Sequence, residues 1–139
     1  MIKFTIPIIP KAQARARSGR TKAGQTIMYT GSGQRQAQND LVSLMAPYAP
    51  QKPLDGPLSI TVDAYLSVPK SWSKRKQACA LAQQIRPTSK PDLDNYLKQI
   101  MDCMTKLGFW MDDSQVVRIT AAKKYGEKAC WHVMLHEIN

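Results

Sequence analysis

No stretch of this chain holds the roughly 18 successive apolar residues that a membrane-spanning helix needs, so no span is expected. Cysteine is scarce. Cys79, Cys103 and Cys130 are odd in number and widely spaced, which argues against a disulfide framework or a zinc site. They read as reduced thiols of a cytoplasmic protein. Acid is missing from the first 39 residues, where Lys3, Lys11, Arg15, Arg17, Arg20, Lys22 and Arg35 stand unopposed before Asp40. The N-terminus has no long apolar core followed by small residues, as a secretory signal would. Its alternation of Ile2, Phe4, Ile6 and Ile8 reads as a strand. Over 139 residues the net charge is +10, which points to a polyanionic partner. Nucleic acid is favoured over an anionic membrane, because no basic amphipathic helix of the membrane-binding kind is visible.

The length suits one domain, 1–139, with one core. Residues 2–9 read as an edge strand, since Pro7 and Pro10 cannot donate ladder hydrogen bonds. Residues 11–25 read as a flexible basic loop and 26–30 as a short strand. The spacing of Ala37, Leu41, Leu44 and Met45 predicts a helix over 33–47, followed by a proline-rich connector over 48–57. Strict alternation from Leu58 to Val68 predicts a half-buried strand. Ser71 or Ser73 is placed to cap a helix reaching about Gln84, and 86–91 form a loop. Leu93, Tyr96, Leu97, Ile100, Met101, Met104 and Leu107 make an apolar stripe for a helix over 92–107, with Gly108 to end it. Two strands, 116–125 and 129–138, follow on either side of a tight turn. The order predicts an α/β (α+β) fold of two layers, a mixed sheet with helices mainly on one face.

Five of the ten acids lie within 22 residues: Asp92, Asp94, Asp102, Asp112 and Asp113. Clustered carboxylates repel one another and repel phosphate. A bound divalent cation removes both conflicts. Some of the cluster has ordinary explanations. Asp92 fits a plain N-cap. Asp94, Lys98, Asp102 and Lys106 recur every fourth residue, as in a surface ladder of ion pairs, each adding about 0.3–0.5 kcal/mol. That explanation suits Asp102 and Lys106 best. For the set as a whole, hard oxygen ligands without a nearby His or Cys favour Mg²⁺, or Mn²⁺ in its place, over zinc. His132 and His136 would share a strand face with Cys130 and read as packing or solvent residues. Lys98, one turn from Asp94, is placed to add positive charge at a phosphate or to orient water. The restriction-type nuclease pattern fails, because no acid-x-Lys follows Pro91-Asp92. A helix of about 16 residues is roughly 24 Å long, which sets Asp112 and Asp113 at the far end from Asp92 and Asp94. The cluster closes only if the following strand doubles back beside the helix or a twofold partner reaches in.

The stretch Lys90-Pro91-Asp92-Leu93-Asp94-Asn95-Tyr96-Leu97-Lys98, then Asp102, then Gly108 through Val117 with its Asp112-Asp113-Ser114-Gln115-Val116-Val117, closely resembles the RusA family of Holliday-junction resolvases. These are small endonucleases often carried by bacteriophages and prophages. The resemblance implies a homodimer that makes paired symmetric nicks in four-way DNA junctions with Mg²⁺, in DNA recombination and repair. It implies metal-binding catalytic roles for Asp92, Asp94 and Asp113, with Asp112 in support, and matches Lys98 to the family's essential lysine. Some members carry Arg directly before the first Asp; here Pro91 stands there, preceded by Lys90. A C₂ dimer makes independent sense, because two twofold-related cuts need two sites. Arg15, Arg17, Arg20, Lys22, Lys74, Arg75, Lys76 and Lys90 are the expected phosphate contacts. Trp72 suits core packing or a helix staple better than base stacking. The alternatives are a non-catalytic binder of branched DNA and a nuclease for flaps or forks.

Overall fold

The structure is a computed structural model that describes residues 1–12, 17–20, 26–29 and 32–138, with the side chains of 17–20, 26–29 and 32–34 left aside. Among the described residues, six strands and three α-helices follow in the order β1 (Ile2–Ile6), β2 (Arg17–Arg20), β3 (Thr26–Tyr29), α1 (Ser32–Met45), β4 (Leu58–Ser67), α2 (Lys74–Leu81), α3 (Leu93–Leu107), β5 (Val116–Gly126) and β6 (Cys130–Glu137). The main sheet has the order β1-β6-β4-β5, and β2 and β3 form a separate antiparallel pair. Within the main sheet β4 and β5 run parallel, while β6 is antiparallel to both β4 and β1. This is an α+β fold with a mixed sheet.

Period-two alternation builds the core face. Leu58, Ile60, Val62 and Ala64 of β4 are buried, as are Trp131, Val133 and Leu135 of β6 and Phe4 and Ile6 of β1. Alternate residues of a strand point to one face, so these side chains form one apolar surface. The apolar stripe of α3 meets it through Tyr96, Ile100, Cys103 and Met104. The ring of Tyr96 stands edge-on to Trp131 with centroids 5.7 Å apart. From α1, Leu41 and Met45 close the same core. Each fully buried side chain of this size contributes about 1.5–3 kcal/mol.

β4 and β5 are parallel because a long crossover, carrying α2 and α3, joins them. The last two strands do not form a hairpin with each other. After Gly126 the chain passes the end of β4, and β6 pairs on its other side. A Cβ on Gly126, the last residue of β5, would stand 3.0 Å from the Tyr65 ring, so a larger residue there would require that ring to give way by a few tenths of an ångström. The edge-strand reading of residues 2–9 holds for Ile2–Ile6. The loop expected over 11–25 is corrected at Arg17–Arg20, which pair with Thr26–Tyr29 as strands. The second helix stops at Leu81, three residues before the expected end, with Ser73 Oγ accepting from the Lys76 N–H at its start.

Candidate active site and DNA-facing residues

Helix α3 organises the acidic cluster. Asp92 occupies its N-cap position, with φ −68° and ψ 150°, yet its carboxylate makes no capping hydrogen bond. Only its backbone carbonyl serves the helix, accepting from Asn95 and Tyr96. The plain-cap explanation of the side chain therefore does not hold. Asp94 lies in the first turn and accepts from the neighbouring Asn95 N–H at 3.0 Å. Both carboxylates are exposed, as is Lys98 one turn on. Two exposed carboxylates beside a lysine, Asp92 without a capping bond and Asp94 with one oxygen taken by the Asn95 N–H, make a fitting half-shell for a hard divalent cation.

The far end of α3 is built differently. Gly108 adopts φ 78°, the left-handed conformation that ends the helix, and its N–H returns to Met104 and Thr105. Phe109 and Trp110 then plunge into the core, and the Trp110 indole N–H donates to Thr105 Oγ1 at 2.8 Å. The next residues turn outward into a short 3-10 turn, Asp113–Gln115, capped by Asp112, whose carboxylate accepts from the Ser114 N–H at 2.9 Å. Gln115 ties this turn down at both ends of its amide. Its Oε1 accepts from the N–H of Met111 and of Asp112, at 2.8 and 3.1 Å. Its Nε2 donates to the carbonyls of Leu54 and Gly56, each at 3.0 Å. Sequence reasoning did not single out Gln115 as a site residue. The Asp-x-x-Gln spacing of a capping box was the signal that could have found it.

Asp112 and Asp113 interact directly. The Ser114 N–H bond, joined by a hydrogen bond from Asp113, holds the Asp112 carboxyl below its ordinary range. The same bond to Asp112, slight burial, and the nearby charges of Asp112 and Asp102 push the Asp113 carboxyl up. Gln38, Asp102, Thr105, Lys106, Met111, Asp112 and Asp113 line one shallow depression of about 460 Å³. Asp102 thus faces the Asp112-Asp113 pair. Among the described residues no ion pair within 4.0 Å involves Asp94, Lys98, Asp102 or Lys106, so the expected ladder is not closed along α3. Among the described residues the salt bridge is Lys124 to Asp63, at 3.5 Å.

The strand does double back beside the helix. What it delivers to the α3 N-terminus is Lys123, whose Nζ donates to the carbonyls of Ser89 and Pro91 at 2.7 and 3.1 Å. No sequence signal marked this lysine. Asp113, which precedes the strand, stays at the other end with Asp102, about 12 Å along the axis from Asp94. Among the described residues, no three acidic, His or Cys side chains come together as a metal-holding group.

The expected phosphate contacts divide by position. Lys74, Arg75 and Lys76 are exposed on the first turn of α2, and Lys90 is exposed beside Asp92. Lys76 Nζ sits 4.0 Å above the Trp72 ring, which also meets Tyr125 edge-on. Trp72 therefore packs α2 onto β5, as the staple reading held. Arg17 and Arg20 lie on β2, while Arg15 and Lys22 fall outside the described residues. His132 pairs with Thr5 Oγ1 at 3.0 Å on the sheet face away from the helices, in keeping with a packing role.

Comparison with known proteins gives one family and two relatives. The family model described as "Endodeoxyribonuclease RusA" matches residues 7–136. The uncharacterized protein YqaN of Bacillus subtilis (strain 168) is 34% identical over 140 residues, covering 99% of this chain and 97% of that one. The crossover junction endodeoxyribonuclease rusA of Lactococcus phage r1t is 45% identical over 51 residues, 37% of this chain and 39% of that one.

Proposed function

The chain belongs to the RusA endodeoxyribonuclease family, and from that premise we propose that it is a metal-dependent endonuclease that resolves four-way DNA junctions as a homodimer, by paired nicks. The observation that carries this reading is the pair of exposed carboxylates, Asp92 and Asp94, left free of capping duty one turn from Lys98. Oxygen donors of this kind suit Mg²⁺, with Mn²⁺ as a substitute. When bound, such a cation supplies an activated water and neutralises charge at the scissile phosphate. The residues around it do the rest. Asp92 and Asp94 hold the cation from one side. Lys98 places a positive charge where the phosphate oxygens gain negative charge. Lys123 fixes the carbonyls of Ser89 and Pro91, and with them the approach of Asp92 to the helix.

Asp113 enters from the second protomer in this reading. One chain holds it apart from Asp92 and Asp94, so a twofold partner is the economical way to add a third carboxylate. Asp112 supports it through their shared hydrogen bond. Lys74, Arg75, Lys76, Lys90, Arg15, Arg17, Arg20 and Lys22 grip phosphates of the junction arms. Affinity therefore falls steeply with salt and shows little base preference. Recombination and repair are the processes that such an activity serves.

The test is nicking of a synthetic four-way junction with Mg²⁺ by the wild type, Asp94→Asn, Asp113→Asn and an equal mixture of the two variants. Each variant alone should be inactive. In the mixture, half the dimers are mixed and each has one intact site, so about a quarter of the sites recover. Those dimers should cut one strand only. Activity surviving both single substitutions would remove these residues from the site. A dead mixture would place each site within one chain. A wild type that binds junctions tightly but leaves them uncut would make the protein a binder, and a panel of flaps and forks separates junction preference from general branch preference.

A further inference from the structure

A cavity of about 660 Å³ opens where α1 packs on α3, at the end of the sheet where β1 and β4 finish and β6 begins. That volume is in the range of small-molecule sites. Its floor belongs to the core. Leu41, Gln99 and Trp131 line it and are each 1% exposed, with Ile8 and Ala37 half-buried beside them. Gln99 differs from its neighbours in chemistry. Among the described residues it is the polar side chain buried with the core. A carboxamide carries two N–H donors and an accepting oxygen, the complement of the polar edge of a nucleobase.

The rim carries both signs. Lys11 and Lys128 face Asp40 and Glu127 there, and all four are exposed. Gln36 Nε2 holds one oxygen of Asp40 at 2.8 Å. In a chain of net charge +10 this balanced rim is a local exception. A phosphate gains little from it, because the carboxylates offset the lysines. A neutral ring with apolar faces and a mixed edge finds donors and acceptors together.

Position ties the cavity to the acidic pair. Gln99 follows Lys98 directly and lies one turn beyond Asn95 on α3. Along the axis it stands about 7.5 Å from Asp94. That is about two base steps of a DNA strand, at roughly 3.4 Å each.

We propose that this cavity receives one unstacked nucleobase of the DNA strand that is cut, seated within a few nucleotides of the phosphate held at Asp92 and Asp94. The inference rests on the nuclease reading given above and deepens it. Bases at a branch point are the least costly to extrude, because their stacking is already interrupted. Overall affinity still comes from phosphates, which any sequence offers. The seated base acts instead on where the strand comes to rest at the acidic pair, so it governs the cutting step.

Two measurements test the pocket. The first is nicking of four-way junctions that each carry one abasic site, placed in turn at the positions within about three nucleotides of the nick. At one position the missing base should slow the wild type about tenfold, a loss in the range of one base–protein stacking contact. Ala37→Phe fills the cavity from α1. With circular dichroism as the check on folding, it should bind junctions as the wild type does, cut the intact one about tenfold more slowly, and lose nothing further from the abasic site. The second needs no cutting. 5-Iodouracil is placed at the same positions, and the wild-type complex is irradiated without divalent cation. At the sensitive position the crosslink should map by mass spectrometry to Trp131 or to its neighbours in the cavity. A flat abasic scan in a wild type that cuts, crosslinks confined to other surfaces, or a folded Ala37→Phe that cuts at the wild-type rate overturns the pocket. If Ala37→Phe does not fold, the wild-type scan and crosslink decide. If the crosslink lands in the cavity and Mg²⁺ brings no cutting, the pocket stands and the nuclease reading falls. If junctions are cut while every crosslink lies elsewhere, the nuclease reading stands and the pocket falls.

Discussion

Replacing Gln115 by alanine removes four hydrogen bonds in one step. Two are accepted by Oε1 from Met111 and Asp112, and two are donated by Nε2 to Leu54 and Gly56. The site is half-buried, so each bond is taken near the low end of its net worth, about 0.5 kcal/mol. The total is about 2 kcal/mol. For a chain of this size that lowers the melting temperature by roughly 6–10 °C. Gln115→Glu sharpens the test. It keeps the accepting oxygen but turns the donor into a second oxygen that faces two carbonyls, beside Asp112 and Asp113. At neutral pH it should cost more than alanine, and lowering the pH to protonate the new carboxyl should recover part of the loss. Thermal denaturation followed by circular dichroism, checked by urea titration at constant slope, reads both effects. A Gln115→Ala protein that melts within about 1 °C of the wild type would refute the claim that this amide pins the Asp112-Asp113 turn. So would a glutamate variant more stable than the alanine one.

Other consequences follow from single residues. Gly108→Ala should cost about 1–2 kcal/mol in chemical denaturation, because φ is 78° while the nearest atom to a new Cβ is Pro53 Cγ at 4.0 Å; the cost is backbone strain, so Gly108→Asn should cost less. Burial first, and Asp102 in smaller part, push the Cys103 thiol up to about 11, against a lowering by Lys106. A thiolate-directed reagent at pH 8 should therefore label Cys79 and Cys130 in the native protein before Cys103, and equal rates at all three would contradict the burial. Asp113 is raised chiefly by its hydrogen bond with Asp112. With Asp113 as a metal ligand, as proposed, a cation would have to displace that proton, so Mn²⁺ affinity should rise as pH climbs through the raised Asp113 value and level off above it. Titration calorimetry of the wild type and Asp112→Asn reads this, and the variant should shift the rise to lower pH.

The elements themselves were largely legible because their signals are local. Alternation over Leu58–Val68 and the stripe from Leu93 to Leu107 report which face meets apolar surface, whatever that surface is. Gly108 ended its helix as expected because a left-handed residue there suits glycine at little strain. Boundaries slipped where a signal was weak, as at the end of α2, and Arg17–Arg20 gave no apolar alternation to reveal a strand. Asp92 was legible as a helix start, but the freedom of its carboxylate was not. A cap position and a cap hydrogen bond look alike in sequence.

By itself, then, the sequence determined the elements, the polyanion-seeking charge and the gathering of acids around one helix, since period, capping and composition are properties of neighbouring residues. Tertiary structure decided which ends of that helix acquire which partners. It set Lys123 rather than Asp113 beside Asp92, put Asp102 with the Asp112-Asp113 pair, and left a cavity beside Gln99 where α1 packs on α3. These outcomes depend on how far a strand travels beside a helix and on which flank of β4 the last strand takes. Long-range packing fixes both.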